Sequence, residues 1–230
     1  MSSADYWDIS SSITRLLIDA ESEIPSALAT LQLLVTRLDW NLGVFWIVNE
    51  IRMVLECSDF YSPTPDRFPD FQTVSRARHF AFGQGLPGSA WQSRTVVHYP
   101  DLSLAQNFPR LSVAASEHLR TGVAFPLYVG KRVLGIIEMF NAEPRDLAPA
   151  TQEFLVALGG QIGVFLERFY AGRTLQAADA QFVLLAEAAS LAIFTIDDQS
   201  NILFANPAVE KVFWPQGRGV DWWEADGGDA

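Results

Sequence analysis

The stretch at residues 82–143, FGQGLPGSAWQSRTVVHYPDLSLAQNFPRLSVAASEHLRTGVAFPLYVGKRVLGIIEMFNAE, decides the fold of this chain. It opens on a glycine-punctuated turn, Gly83-Gln84-Gly85-Leu86-Pro87-Gly88. Residues without a Cβ permit positive φ, and a proline just before Gly88 presets a short helix that carries Ser89, Ala90 and Trp91. Trp91 is thereby expected to face inward or cap a cavity. A β-prone run at 95–99 closes at Pro100-Asp101, and an irregular polar stretch follows at 102–107. Two strands, 122–129 and 132–141, end the segment, joined by the tight turn Gly130-Lys131.

Five strings stand out by order and spacing: GQGLPGSAW (83–91), PDL (100–102), NFPR (107–110), FPL (125–127) and VLGIIEMF (133–140). That succession resembles the GAF domain of bacterial signalling proteins. The resemblance implies an α+β fold with an antiparallel central sheet flanked by helices, here over residues 25–170, and a pocket between the sheet and the helices and loops of the central stretch. On this sequence the implied pocket maps to Phe82, Leu86, Trp91, Tyr99, Phe108, His118 and Phe125, and Arg110 and Glu138 are the charged residues placed to reach inward. A concave apolar site with a few polar groups suits a small molecule. The same aromatics also read as plain core, and both readings stand at this point.

Outward from that centre, residues 5–20 carry Ile9, Ile13, Leu16 and Leu17 at helical spacing, so an N-terminal helix and linker occupy 1–24. Pro25 opens a second helix to about Asp39, with an apolar stripe of Leu28, Leu31, Leu34, Val35 and Leu38. The runs 42–48 and 51–60 flank the turn pair Asn49-Glu50 and predict an antiparallel hairpin, in which Phe45 and Trp46 take opposite faces. Residues 62–70 hold three prolines and predict loop, residues 71–76 a short helical or irregular piece, and residues 79–82 a strand.

Pro149 starts the longest helix, whose apolar residues at 155, 158, 162, 165, 169 and 172 make a heptad seam, continued at 175, 178, 182, 185 and 189 after a phase slip. So long a seam predicts a dimeric connector helix through 171–189 and a parallel homodimer through this helix and the one at Pro25. Beyond Ala189, residues 191–196 and 201–204 predict strands around the turn Asp197-Asp198-Gln199-Ser200, followed by the helix start Asn206-Pro207-Ala208-Val209-Glu210. This order resembles the opening of a PAS domain, so 190–230 is read as a partial PAS-like segment whose Gly- and Asp-rich end, 217–230, is expected to be poorly ordered.

Composition narrows the function classes. Sixteen basic against twenty-seven acidic side chains, net −11, argue against a nucleic-acid surface, which needs clustered Lys and Arg. One cysteine, Cys57, forms no internal disulfide and no cysteine-rich metal site. Residues 1–8 lack a secretion signal, and no run approaches the length of a membrane span, so the default location is cytoplasmic. Three histidines, His79, His98 and His118, sit nineteen and twenty residues apart, without metal-ligand spacing. Neither a nucleophile elbow nor a phosphate loop occurs; the GxGxxG at 83–88 lacks its βαβ context. No catalytic activity and no identifiable cofactor follow.

The resemblance also allows three classes of GAF function to be tested. Residues 107–120, where bilin-binding members carry their attachment cysteine, have none. A single thiol does not complete the methionine sulfoxide cycle of the reductase members. Of the cyclic-nucleotide pattern only Asn141 remains, with Ala142, Leu147, Thr151 and Gln152 at the other positions. Two functions stay open. One is a sensory module that binds a small ligand and signals through a dimeric helix to a PAS segment and an output such as a histidine kinase or diguanylate cyclase. The other is a ligand-free dimerisation or scaffolding module.

Overall fold

The apolar run at 42–48 and the run after it fold as a hairpin, β1 (Leu42–Asn49) and β2 (Val54–Tyr61), in the computed structural model, which describes residues 3–18, 23–199 and 201–213. Its turn is wider than Asn49-Glu50. The Asn49 side chain accepts the Arg52 amide at 3.0 Å and Met53 takes φ 53°, so residues 50–53 make the reversal. With β3 (Phe80–Ala81), β4 (Val97–Tyr99), β5 (Thr121–Val129) and β6 (Arg132–Asn141), the hairpin builds a six-stranded sheet ordered β3-β2-β1-β6-β5-β4. Every neighbouring pair is antiparallel. The central strand β6 is clamped on both sides, by β1 and by β5.

Strand register sorts side chains to the two faces. Val44 and Ala124 both stand opposite Glu138, whereas Phe45 and Phe125 both stand opposite Ile137. The Ile137 face is covered by α1 (Ser3–Ile18), α2 (Glu23–Arg37) and the first part of α6 (Pro149–Ala188). A Cβ on Gly43 would come within 2.6 and 2.7 Å of Leu31 and Val35, and one on Gly159 or Gly163 would strike the backbone of Pro126 or Tyr128. These glycines let α2 and α6 lie directly on the strands. Tyr6 stacks on Phe154 at 4.7 Å and shares a 2.7 Å hydrogen bond with Thr151, while Ser10 donates to Gln161 at 2.8 Å and Gln161 donates to Thr14.

This packing corrects the reading of the α6 seam. Leu155, Leu158 and Ile162 of that seam are 0–1% exposed within the single chain, so this part of the stripe assigned to a dimer partner is covered by the chain itself. Phe165 and Phe169 are half-buried and stack on each other at 6.3 Å. The side chains at 172, 175, 178 and 182, which continued the predicted seam, lie outside the described residues.

The Glu138 face is covered by α3 (Pro69–Ala77), α4 (Gly85–Ser93), a 3-10 turn at Leu102–Leu104 and α5 (Leu111–Ser116). Met1–Phe169 forms one compact unit and Tyr170–Ala230 a second. In the second, β7 (Phe194–Ile196) pairs antiparallel with β8 (Ile202–Ala205), and α7 (Pro207–Phe213) follows. Asn206 knits this piece together. Its side chain, 2% exposed, donates to Ala186 O at 2.7 Å and Leu191 O at 2.9 Å and accepts the Ile193 amide at 2.9 Å. The stretch 217–230 lies outside the described residues, as does the whole tail from 214.

Candidate functional site

Two buried charges face each other under α5. Glu138 projects from the middle of β6, and Arg110 stands at the N-terminal boundary of α5; both side chains are 0% exposed. Arg110 Nη2 donates to Glu138 Oε1 at 2.8 Å and to Oε2 at 2.7 Å, and Nη1 donates to Ser75 Oγ at 2.9 Å. Trp46 Nε1 adds a further donor to Glu138 Oε2 at 2.7 Å. Arg110 Nε has no hydrogen-bond partner among the described residues.

Aromatic rings enclose the guanidinium. Its carbon lies 4.8 Å from the Phe71 ring centre, 4.9 Å from Phe80, 5.4 Å from Trp46 and from Phe140, and 5.5 Å from Phe108. Ring faces carry negative charge, and guanidinium is more weakly hydrated than ammonium, so this is a favourable place to bury an arginine. Desolvating two charges still costs several kcal/mol, which only close, multiply bonded geometry offsets. Burial pushes the Glu138 carboxyl above its ordinary value, against the lowering by the Arg110 charge and by the bonds from Arg110 and Trp46.

The walls are fixed by two side chains at a distance from the pair. Asn107 accepts the Gly85 amide at 2.9 Å and donates to Gly83 O at 2.8 Å and Ser89 Oγ at 3.1 Å, so the NFPR string is tied to the GQGLPG turn. Gly85 sits at φ 65°, where a Cβ would lie 2.7 Å from the Phe80 ring. Glu117 accepts the Asp70 amide at 2.8 Å and the Phe71 amide at 3.1 Å. A carboxylate there satisfies free N–H groups at the start of α3, which has no side-chain cap from its own sequence. The helix so anchored presents Phe71 and Ser75 to Arg110.

Not every expected lining residue arrives. Leu86, Trp91 and Phe108 join one buried cluster with Trp46, Phe80 and Phe140, and half-buried Tyr99 packs against that cluster, its ring edge-on to Phe108 at 6.5 Å. Phe82 does not line the interior: it is 53% exposed, T-stacked on Trp91 at 5.4 Å. His118 is exposed in the turn after α5 at φ 60°. Phe125 is buried, but on the Ile137 face of the sheet, opposite the pair, because one step along a strand from Ala124 reverses the side. Trp46, Phe71, Ser75, Asn107 and Glu117 were not read from the sequence as parts of the site. Two of them carried a signal, Trp46 in its alternation with Phe45 and Asn107 as the first residue of the NFPR string; nothing local marks Ser75 or Glu117.

Cys57 packs beside the same cluster, where burial pushes its thiol up to about 11, the opposite of an activated thiolate. Among the described residues, no cluster of His, Cys, Asp and Glu suits a metal ion and no helix is long and apolar enough to cross a membrane. A surface hollow near Asp39, Asn41 and Arg67 includes Arg145. That guanidinium donates to Leu38 O and Asp39 O, both at 2.9 Å, and stacks on Trp40 at 5.1 Å.

Residues 26–167, well over half of the chain, match the sequence profile described as "GAF domain". The chain belongs to the GAF family. Solved GAF structures agree with that fold at low identity. The GAF domain of an Acinetobacter phosphoenolpyruvate-protein phosphotransferase is 17% identical, with a TM-score of 0.61, over 76% of this chain and 99% of that one. The corresponding Coxiella burnetii domain is 14% identical, with a TM-score of 0.65 over the same shares. Free methionine-R-sulfoxide reductase from Neisseria meningitidis, solved with its substrate, is 19% identical, with a TM-score of 0.58 over 76% of this chain and 95% of that one. A comparison with curated proteins finds no match. GAF domains are commonly regulatory or sensory modules, and the Arg110–Glu138 pair sits on the sheet face covered by α3, α4 and α5.

Proposed function

We propose that this chain is the regulatory part of a cytoplasmic signal-transduction protein, a GAF module without catalysis of its own. Its interior site is closed by its own Arg110. The observation that carries the reading is the pair itself: an ion pair, 0% exposed, in which one guanidinium nitrogen reaches both carboxylate oxygens, set among aromatic rings where apolar packing would serve stability as well or better. One partner is on a doubly paired strand. The other is at the start of a six-residue helix in the layer over that face, so the pair joins the sheet to a short covering element. Exchange between a closed and an open arm is a two-state device of the kind a regulatory domain requires.

In this reading the arm's state reaches α6 through the sheet, on which Gly159 and Gly163 seat the helix, and α6 leads on to the PAS-like segment and to a kinase or cyclase output. The module works as a homodimer through the outward sides of its terminal helices. Trp7, Ile18 and Val164 are 74%, 76% and 43% exposed there. A second reading, a ligand-free scaffold, is favoured by the dense packing of Leu86, Trp91 and Phe108 in one cluster.

Native-state hydrogen exchange separates the two. If residues 101–120 exchange through an opening well below the free energy that releases β6 amides, the regulatory reading holds. If 101–120 exchange only with β6, in global unfolding, the scaffold reading replaces it.

A further inference from the structure

We infer that the cage around Glu138 is a binding site for a small organic cation with a planar guanidinium or amidinium head, and that Arg110 is its built-in competitor. The inference rests on the regulatory reading above and names the ligand class of that same site.

The argument starts from which partner moves. Glu138 is held in β6 between β1 and β5, and Trp46 and Phe140 lie on those same central strands. None of these leaves without breaking the sheet. Arg110 lies at the boundary of a short helix, with no side-chain cap, next to exposed Pro109. When the arm swings out, it leaves behind a carboxylate, an indole N–H, the Ser75 hydroxyl and the ring faces of Phe71, Phe80 and Phe140. An anionic guest meets Glu138 and repulsion; a neutral one leaves that carboxylate buried without a counter-charge. A cation is the guest that restores both balances.

The bonds narrow the class further. One terminal guanidinium nitrogen reaches both Glu138 oxygens at 2.8 and 2.7 Å while the other terminal nitrogen reaches Ser75 at 2.9 Å, so the carboxylate and the hydroxyl are served from two separate nitrogens of one flat head, stacked among rings, rather than from a single point. The unpaired Arg110 Nε adds a last detail. The tethered group fills the cage with one donor unsatisfied, so a free molecule, able to reorient or bring an acceptor of its own, is not at a disadvantage to it.

The test uses the full chain carrying Arg110→Ala, with methylguanidinium chloride as probe and sodium chloride at matched ionic strength. The expected result is saturable stabilisation, with Tm rising by about 5–10 °C at roughly 100 times Kd, and loss of that rise in the Arg110→Ala/Glu138→Gln double variant. Wild type, if its arm is open about 1% of the time, needs roughly a hundredfold more probe. Should Arg110→Ala be unfolded alone, refolding on addition of methylguanidinium supports the inference equally. No response, or an equal response in the double variant, overturns it; tighter binding of tetramethylammonium than of methylguanidinium overturns the planar-head assignment. The two readings fail separately. Binding in Arg110→Ala with a wild-type segment 101–120 that never opens keeps the cage and removes regulation, whereas an opening segment without binding removes the cage.

Discussion

Removing either member of the Arg110–Glu138 pair leaves the other buried, but the two losses differ in kind. A guanidinium does not give up its proton, so Glu138→Gln strands a full charge that keeps its rings and Ser75 but loses its counter-ion. That change is expected to cost about 3–5 kcal/mol, the usual result of orphaning one buried partner. Arg110→Met instead leaves a carboxylate that escapes by taking up a proton. From an ordinary Glu value of about 4.3, neutralising it at pH 7 costs at most about 3.7 kcal/mol, at about 1.36 kcal/mol per pH unit. The sign follows from proton counting. In this variant the folded state holds the Glu138 proton and the unfolded state does not, so stability falls as pH rises above about 4.3 and is recovered on acidification. The wild-type carboxyl is also raised by burial, but the Arg110 charge and bonds oppose the rise, so its pH slope is the shallower one. The double variant Arg110→Met/Glu138→Gln removes both charges and is expected within about 2 kcal/mol of wild type, or above it. The assay is urea unfolding at pH 5 and pH 7, with hydrogen exchange on β1 and β6 to report the first unit. Single variants each within about 1 kcal/mol of wild type, an additive double, and no pH dependence in Arg110→Met would refute the reasoning.

The other expectations concern the supports. Glu117→Ala removes the acceptor for two α3 amides and should cost about 1–2 kcal/mol, read as faster exchange at residues 70–75. Gly85→Ala places a Cβ 2.7 Å from the Phe80 ring at φ 65°, and a Tm unchanged by this substitution would contradict the packing described for that turn. Ile162→Asp, at a residue 1% exposed within the single chain, is expected to abolish or strongly destabilise the fold rather than to release a folded monomer, which circular dichroism distinguishes directly. Trp91→Ala, at a residue 7% exposed, should lower stability by about 3–5 kcal/mol, and a smaller loss would show that its contacts collapse to fill the space.

Much of the fold was legible because its signals are local. Gly130 at φ 57° turns the β5–β6 hairpin as read, and the apolar periodicity after Pro149 is a helix. Arg110 and Glu138 were singled out as inward-reaching charges, and both side chains are fully buried. What the sequence hid is long-range. Ser75 and Glu117 look like ordinary surface polar residues until a helix contact brings them 35 residues to Arg110 and 47 residues to Asp70. Phe125 was placed on the wrong side because adjacent strand residues differ only in parity, which register fixes and composition does not. The α6 seam misled for a related reason: an apolar stripe states that a face is covered, and here the cover is the chain's own sheet and helices.

The central claim, that the Glu138 carboxylate inside this GAF module is occupied by the chain's own guanidinium, is tested most directly by the side-chain NMR signals of Arg110 in the wild-type chain. A guanidinium held between Glu138 and Ser75 and ringed by Phe71, Phe80 and Phe140 should show resolved, slowly exchanging Nη protons shifted by the ring currents, and these should disappear in Glu138→Gln. Arg110 protons that average and exchange with water as fast as those of exposed Arg94 and Arg120 would contradict it.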